Sequence, residues 1–363
     1  MTTTSFSSAE SACKMDFWYT LNREAPVFVW PVKFCLGMMA TTYILSLFTG
    51  NVSQVDRAWT FLPTIYTVYY ALLPLWPRDP PTFFFPHTPD AVHASVAGSY
   101  SPRALLMMAL VVIWMGRLTY NTWRRGLFNL KDEDYRWEIL RQKLPPWFFQ
   151  IFNFTFIAIA QNIILFLLGM PTQIAVMQPH TPLSASDYLL GTLGLLTILT
   201  EFTADNQQFS FQAFKHSGKL NQNEWSGARI AWTQRDADRG FVTRGLWAWS
   251  RHPNFLCEQL FWIIINLIPL MSSNLNVRAS SSPFAAIAPL APCLILCTLF
   301  FCSTLFTESI SRSKYPAAYA AYQRRVGMFM PLLTPMYGVL LSLQGEKGQV
   351  DELVYGQGGK KAE

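Results

Sequence analysis

Charge is scarce in this chain: only 14% of its 363 residues are Asp, Glu, Lys or Arg, against roughly 25% in ordinary soluble domains. Together with 51% hydrophobic residues, that shortage excludes a polar surface all round a globular core and points to a polytopic membrane protein. Nucleotide-binding loops are missing as well. No GxGxxG follows a strand and no GxxxxGK[ST] occurs, which excludes a Rossmann unit and a P-loop, so any nucleotide must bind between helices. Cys13, Cys35, Cys257, Cys293, Cys297 and Cys302 form no close pair with ligand spacing and the five histidines are scattered. Neither a disulfide framework nor a metal site is therefore expected. Before Val27 there is no short apolar core with a basic start and a small-residue cleavage site, so no removed signal peptide is expected. The net charge of +6 comes without interleaved aromatic and basic residues and calls for no nucleic-acid partner.

What is present is apolar sequence in long runs. Stretches 27–49, 58–76, 104–120, 147–169, 186–204, 255–272 and 284–306 approach the length of a spanning helix. The fold class this predicts is all-α, a transmembrane bundle of about seven spans. Lys and Arg set its orientation. Connections 121–146 and 205–252 carry six and seven of them, whereas 170–186 carries none and 273–283 only Arg278. By the positive-inside rule the first two connections and the C-terminal end are cytosolic and the amino terminus lies opposite. The chain divides accordingly into a polar tail (1–26), N-terminal membrane helices (27–103), a membrane domain (104–335) and a cytosolic tail (336–363). That tail ends Lys360-Lys361-Ala362-Glu363, similar to the dilysine retrieval signal of endoplasmic-reticulum membrane proteins, which implies a contact of Lys360 and Lys361 with the retrieval coat.

Chemistry concentrates at Gly245–Glu258, where Arg251, His252, Asn254 and Glu258 stand at the mouth of the apolar run reaching Leu270. Charge there is expensive and implies a role. Pro253 suits the first helical position, so a helix should begin near His252 with Asn254 and Glu258 on one face. Arg251 beside the open helix N-terminus makes a receptor for phosphate or carboxylate. If helical, the end of the fifth stretch places Glu201, Asp205 and Gln208 along one face. Lys215 to Gly245 is too long for a mere connection and reads as a lid over a cofactor. A further polar cluster runs from Arg117 through Glu133, Asp134, Arg136 and Trp137 to Arg141, and suits a structural salt bridge as well as a ligand contact. Tyr315, Tyr319 and Tyr322 recur at helical spacing before Arg324 and Arg325, as interface anchors or as cofactor stackers.

Taken together, Arg117-Leu118 with the Glu-Asp-x-Arg-Trp stretch, Ala204-Asp205-x-Gln207, Gly245 to Glu258 and the terminal Tyr-x-x-Tyr-x-x-Arg-Arg pattern resemble the DUF1295 family, over about residues 104–335. That family is similar to the C-terminal domain of the steroid 5α-reductases. The resemblance implies a cytosol-facing pocket for NADPH and hydride delivery to a conjugated C=C bond of a lipid or sterol-like substrate. It implies cofactor binding by Asp205, Arg251 and Asn254, with Tyr319, Tyr322, Arg324 and Arg325 behind them, and a catalytic part for Glu258. Cys257 stands where the reductase pattern has Gly. The isoprenylcysteine carboxyl methyltransferases share the Arg-His-Pro helix, so an S-adenosylmethionine-dependent methyltransferase is an alternative, as is a non-catalytic lipid-binding protein on the same fold.

Overall fold

The protein is described here by a computed structural model covering residues 20–21, 23–78, 82, 84–272 and 288–356. Cys13, Arg278, Lys360 and Lys361 fall outside the described residues. Among those described the regular structure is helical, with one isolated parallel bridge between Ser250 and Gly327. Among the described residues five helices are long and apolar enough to cross a membrane: Pro26–Thr49, Pro102–Arg124, Pro146–Met177, Pro253–Leu270 and Ala288–Lys314. The chain is a multi-pass helical membrane protein.

Two of the seven apolar stretches are not among these five. The stretch 58–76 is shared among a helix Gln54–Trp59, a helix Leu62–Ala71 and a 3-10 turn Leu73–Leu75, all too short for a hydrocarbon layer of about 30 Å. Pro63 and Pro74 open two of these pieces, because proline suits a first turn and cannot continue the one before it. The stretch 186–204 is the first part of a 33-residue helix, Ala185–Ser217, in which Asp187, Glu201 and a series of threonines and glycines dilute the apolar character.

The described residues form two compact units. The first comprises residues up to Gly191 with Ile265–Pro292. Within it α1 (Val29–Thr49) ends on Gly50 in the left-handed conformation, φ 65°, which a residue without Cβ adopts freely. Trp30 of α1 stacks on Tyr69 of α2 (Leu62–Ala71), ring centres 4.5 Å apart. Polar side chains add further ties, as expected where lipid removes the hydrophobic drive between helices. Asn153 and Asn162, in the Pro146–Met177 helix and around its π-helical stretch, reach Ser46 and Thr42 of α1 at 2.9 and 3.2 Å. Arg103, at the start of α3 (Pro102–Arg124), grips Asp187 with two bonds of 2.8 and 3.0 Å, both partners buried.

The same unit resolves the Glu-Asp-x-Arg-Trp stretch. Arg57 donates to the carbonyls of Leu127, Asn129 and Asp132, Asp56 accepts from the Trp137 indole at 2.7 Å, and Glu133 bonds the Val52 N–H and Arg141 at 2.8 Å each. Asp134 caps the helix Tyr135–Lys143 through the Arg136 N–H. These groups latch the 121–146 connection onto residues 51–57.

The second unit comprises Thr192–Ile264 and everything described from Cys293 on. It holds the later part of α4 (Ala185–Ser217), most of α5 (Pro253–Leu270) and α6 (Ala291–Lys314), and the short helices α7 (Pro316–Arg325), α8 (Leu333–Leu343) and α9 (Lys347–Tyr355). Residues 336–356 are thus folded rather than a loose tail. Tyr319, Tyr322, Val326, Leu341, Val350 and Val354 share one buried cluster with Phe241 beside it.

The short helix Gln234–Arg239 is stapled by a capping box in which the Thr233 side chain accepts from the Asp236 N–H and the Asp236 carboxylate accepts from the Thr233 N–H. Burial works to raise the Asp236 carboxyl, but the Thr233 bonds and the guanidiniums of Arg239 and Arg244 outweigh it and hold the group below its usual range. A carboxyl depressed on folding contributes stability above its unfolded value, near ~3.9, and that contribution is lost as pH falls through the folded value. Asp236→Asn should therefore cost about 1–3 kcal/mol at pH 7. Thermal midpoints taken from pH 7 down to pH 3 should converge for the variant and the parent.

Candidate functional site

The site residues that the family resemblance implies, Asp205, Arg251, Asn254, Glu258, Tyr319, Tyr322, Arg324 and Arg325, lie in the second unit. Pro253 does begin α5. Just before it the backbone is fixed from outside the helix: Arg251 N–H donates to the Gly327 carbonyl at 2.9 Å and His252 N–H to the Met328 carbonyl at 3.1 Å.

That docking delivers the Arg251 side chain into a carboxylate supplied by the chain itself. Nε and Nη2 bond the two oxygens of Glu308 at 2.7 and 3.1 Å, and Nη1 donates to the carbonyls of Gln323 and Val326. Glu308 also accepts from His252 Nε2 at 3.0 Å and Gln323 Nε2 at 2.8 Å. All the ionic partners are buried. Burial draws His252 below the usual imidazole range although Glu308 pulls the other way. The Arg251 guanidinium is thus committed to Glu308.

The C-terminal residues are likewise committed to the fold. Tyr319 and Tyr322 are buried against Phe241 rather than placed at an interface, and the Tyr322 hydroxyl donates to the Trp247 carbonyl at 2.6 Å. Arg325 pairs with Asp351 at 2.6 Å and bonds the Thr334 carbonyl. Arg324 pairs with Glu346, but this pair is half-exposed. An exposed ion pair contributes only about 0–1 kcal/mol, so an incoming phosphate could take the Arg324 guanidinium at little cost.

Asp205, Asn254 and Glu258 are placed differently. Asn254 Nδ2 donates to Asp205 Oδ1 at 3.3 Å, joining α5 to α4, while Asn254 Oδ1 is buried with no hydrogen-bond partner among the described residues. One turn on, the buried Glu258 accepts from the Trp262 indole at 3.0 Å. Asp205 and Glu201 are buried on α4. Together they form a polar line along two apolar helices, in a low dielectric where each hydrogen bond is strong.

The segment between α4 and α5 is stitched down. Gln207 Oε1 accepts from the Leu246 N–H at 2.9 Å and its Nε2 donates to the Gly227 carbonyl at 2.8 Å. Ser210 donates to Glu224 at 2.6 Å and accepts from the Trp232 indole at 2.8 Å, and Trp247 Nε1 reaches the Ala204 carbonyl at 3.2 Å. Gly245 takes φ 67°, and a Cβ there would come within 2.5 Å of Gln207 Oε1. Glycine is needed so that the chain can turn tightly against Gln207 and present Arg251 to Glu308. Sequence reasoning left Gln207 and Glu308 without roles. The available signal for Glu308 was an acidic residue late in a span of a chain whose neighbouring helix opens on an arginine in need of an anion.

These features define an integral membrane protein whose second unit holds a buried ionic clamp and a separate carboxylate–amide line. The chain belongs to the DUF1295 family, a family described as of unknown function, whose model matches residues 42–326. An uncharacterized protein of Schizosaccharomyces pombe (strain 972 / ATCC 24843) is 33% identical over 319 residues, covering 88% of this chain and 82% of that protein. No solved structure matches the chain.

Proposed function

We propose that this protein is a membrane-bound, NADPH-dependent reductase of a conjugated C=C bond in a lipid or sterol-like substrate, resident in the endoplasmic reticulum with its C-terminus cytosolic. The observation that carries the reading is Asn254 beside Asp205, with Glu258 one turn deeper. An amide oxygen buried without a donor among the described residues fits the N–H groups of a nicotinamide carboxamide, and the Asp205 carboxylate, which accepts from Asn254 Nδ2, holds that amide in place. Arg324, in its exposed pair, is the cation of the candidate set that a phosphate can claim most cheaply. Arg251 contributes by fixing the start of α5 and hence the aim of Asn254 and Glu258.

When bound, NADPH supplies a hydride to the β-carbon of the enone, and a proton completes the α-carbon. Asn254 and Asp205 orient the cofactor, which converts a bimolecular encounter into a positioned one. Glu258, buried one turn deeper and held by Trp262, is the acid–base candidate of the set. The similarity of the Ser250–Phe255 segment to the steroid 5α-reductases supports this chemistry, and the positive-inside arrangement and the lysines near the C-terminus support the location. Lys360 and Lys361 would engage the retrieval coat.

The test is a thermal-shift titration of the detergent-purified protein with NADPH, NADH and S-adenosylmethionine. Stabilisation by NADPH alone is the expected result. Stabilisation by S-adenosylmethionine alone would move the assignment to a methyltransferase, and no response to any of the three would favour a non-catalytic protein on the same fold.

A further inference from the structure

Helix α8 carries no charged residue and turns Met336, Val339, Leu340 and Leu343 outward, each between 53% and 80% exposed. Their spacing, i, i+3, i+4 and i+7, makes one apolar stripe along the helix. Leu332 extends it at one end, and Trp249, whose carbonyl accepts from the Thr334 hydroxyl at 2.6 Å, is an exposed aromatic beside the same helix. The other face is pinned. Thr334 also accepts from the Gly327 N–H at 2.9 Å, Arg325 bonds the Thr334 carbonyl at 3.1 Å, and a Cβ at Gly338 would stand 3.2 Å from the Arg325 guanidinium. The stripe is therefore held outward and cannot roll inward to bury itself.

A continuous exposed apolar patch marks an interaction surface, and three observations point to lipid as its occupant. An 11-residue helix spans about 16 Å, half the hydrocarbon thickness, so it cannot cross. Its outward residues are of the same kind as the outward residues of the spanning helix α6 in the same unit, Leu294, Ile295, Phe301 and Leu305. Its charged neighbours, Arg324, Arg325, Glu346, Lys347 and Asp351, lie before or after the helix and never within it, so the helix carries no charge into an apolar layer.

We propose that α8 lies in the plane of the membrane interface with Met336, Val339, Leu340 and Leu343 in the acyl boundary, anchoring the α7–α9 cluster and the Ser250–His252 docking strand at the bilayer surface. This inference is independent of any catalytic activity. It is tested on the full chain reconstituted in phosphatidylcholine vesicles, with Leu340→Cys, Val339→Cys and, as the exposed comparison on α9, Gly348→Cys. Reaction of each introduced thiol with a charged, membrane-impermeant maleimide is followed by peptide-resolved mass spectrometry. Positions 340 and 348 share one side of the membrane, so their ratio cancels mixed orientation. The expected result is a rate at positions 340 and 339 at least tenfold below that at position 348, unchanged when the protein is diluted to one copy per vesicle. Equal rates overturn the proposal, and so does protection lost on dilution, which would assign the stripe to a second copy of the chain.

Discussion

Glu308→Ala should lower stability by about 3–5 kcal/mol, the usual consequence of leaving a buried charge without its partner. The variant removes the carboxylate that receives Arg251, His252 and Gln323 together and strands a guanidinium that is almost fully buried. Arg251→Ala should do nearly the same from the other side. The double replacement Arg251→Met with Glu308→Leu should recover much of the loss, because the two effects share one interaction and are not additive. Chemical unfolding in mild detergent reads all three. Equal stability of Glu308→Ala and the parent would remove the clamp from the description. A loss of ligand binding in Arg251→Ala must accordingly be read beside its unfolding curve, since the first effect expected of that variant is structural.

Glu258→Gln should leave the unfolding curve in place, because the amide oxygen can still accept from Trp262. Turnover of NADPH with an accepted enone should fall roughly 10²- to 10⁴-fold, the contribution typical of a positioned proton donor or acceptor. Asn254→Leu keeps the side-chain size but removes both the bond to Asp205 and the open acceptor. It should weaken NADPH about tenfold, the equivalent of one hydrogen bond. A Glu258→Gln enzyme of undiminished turnover would leave Glu258 as a structural partner of Trp262 alone. The two variants together separate a binding group from a chemical one, and both from the clamp.

The sequence made the membrane class, the helix start at Pro253 and the shared face of Asn254 and Glu258 legible, since each depends on residues within a few turns. The length of the apolar run misjudged 58–76, because the breaks at Thr60–Phe61 and Leu72 lie inside a largely apolar composition. The Arg251–Glu308 pair, 57 residues apart in sequence, was illegible for a different reason. Local spacing shows that Arg251 needs an anion, while only the docking of residues 250–252 on 327–328 decides that Glu308 provides it. Lys215 to Gly245 looked like a lid by length, yet Gln207 and Ser210 fasten it, and short polar side chains inside a helix give no hint of such long reaches. Arg324 and Arg325 looked equivalent, and the packing of α9 on α7 buries one pair more than the other.

The most direct measurement is the fluorescence of NADPH titrated with the detergent-purified protein and, in parallel, with Asn254→Leu. A dry site between helices should give a saturable rise and blue shift of the dihydronicotinamide emission, reversed by excess NADP⁺ and displaced to higher concentration in the variant. No change in emission with a correctly folded parent protein, or identical curves for parent and variant, would contradict the assignment of Asn254 and Asp205 to a nicotinamide cofactor.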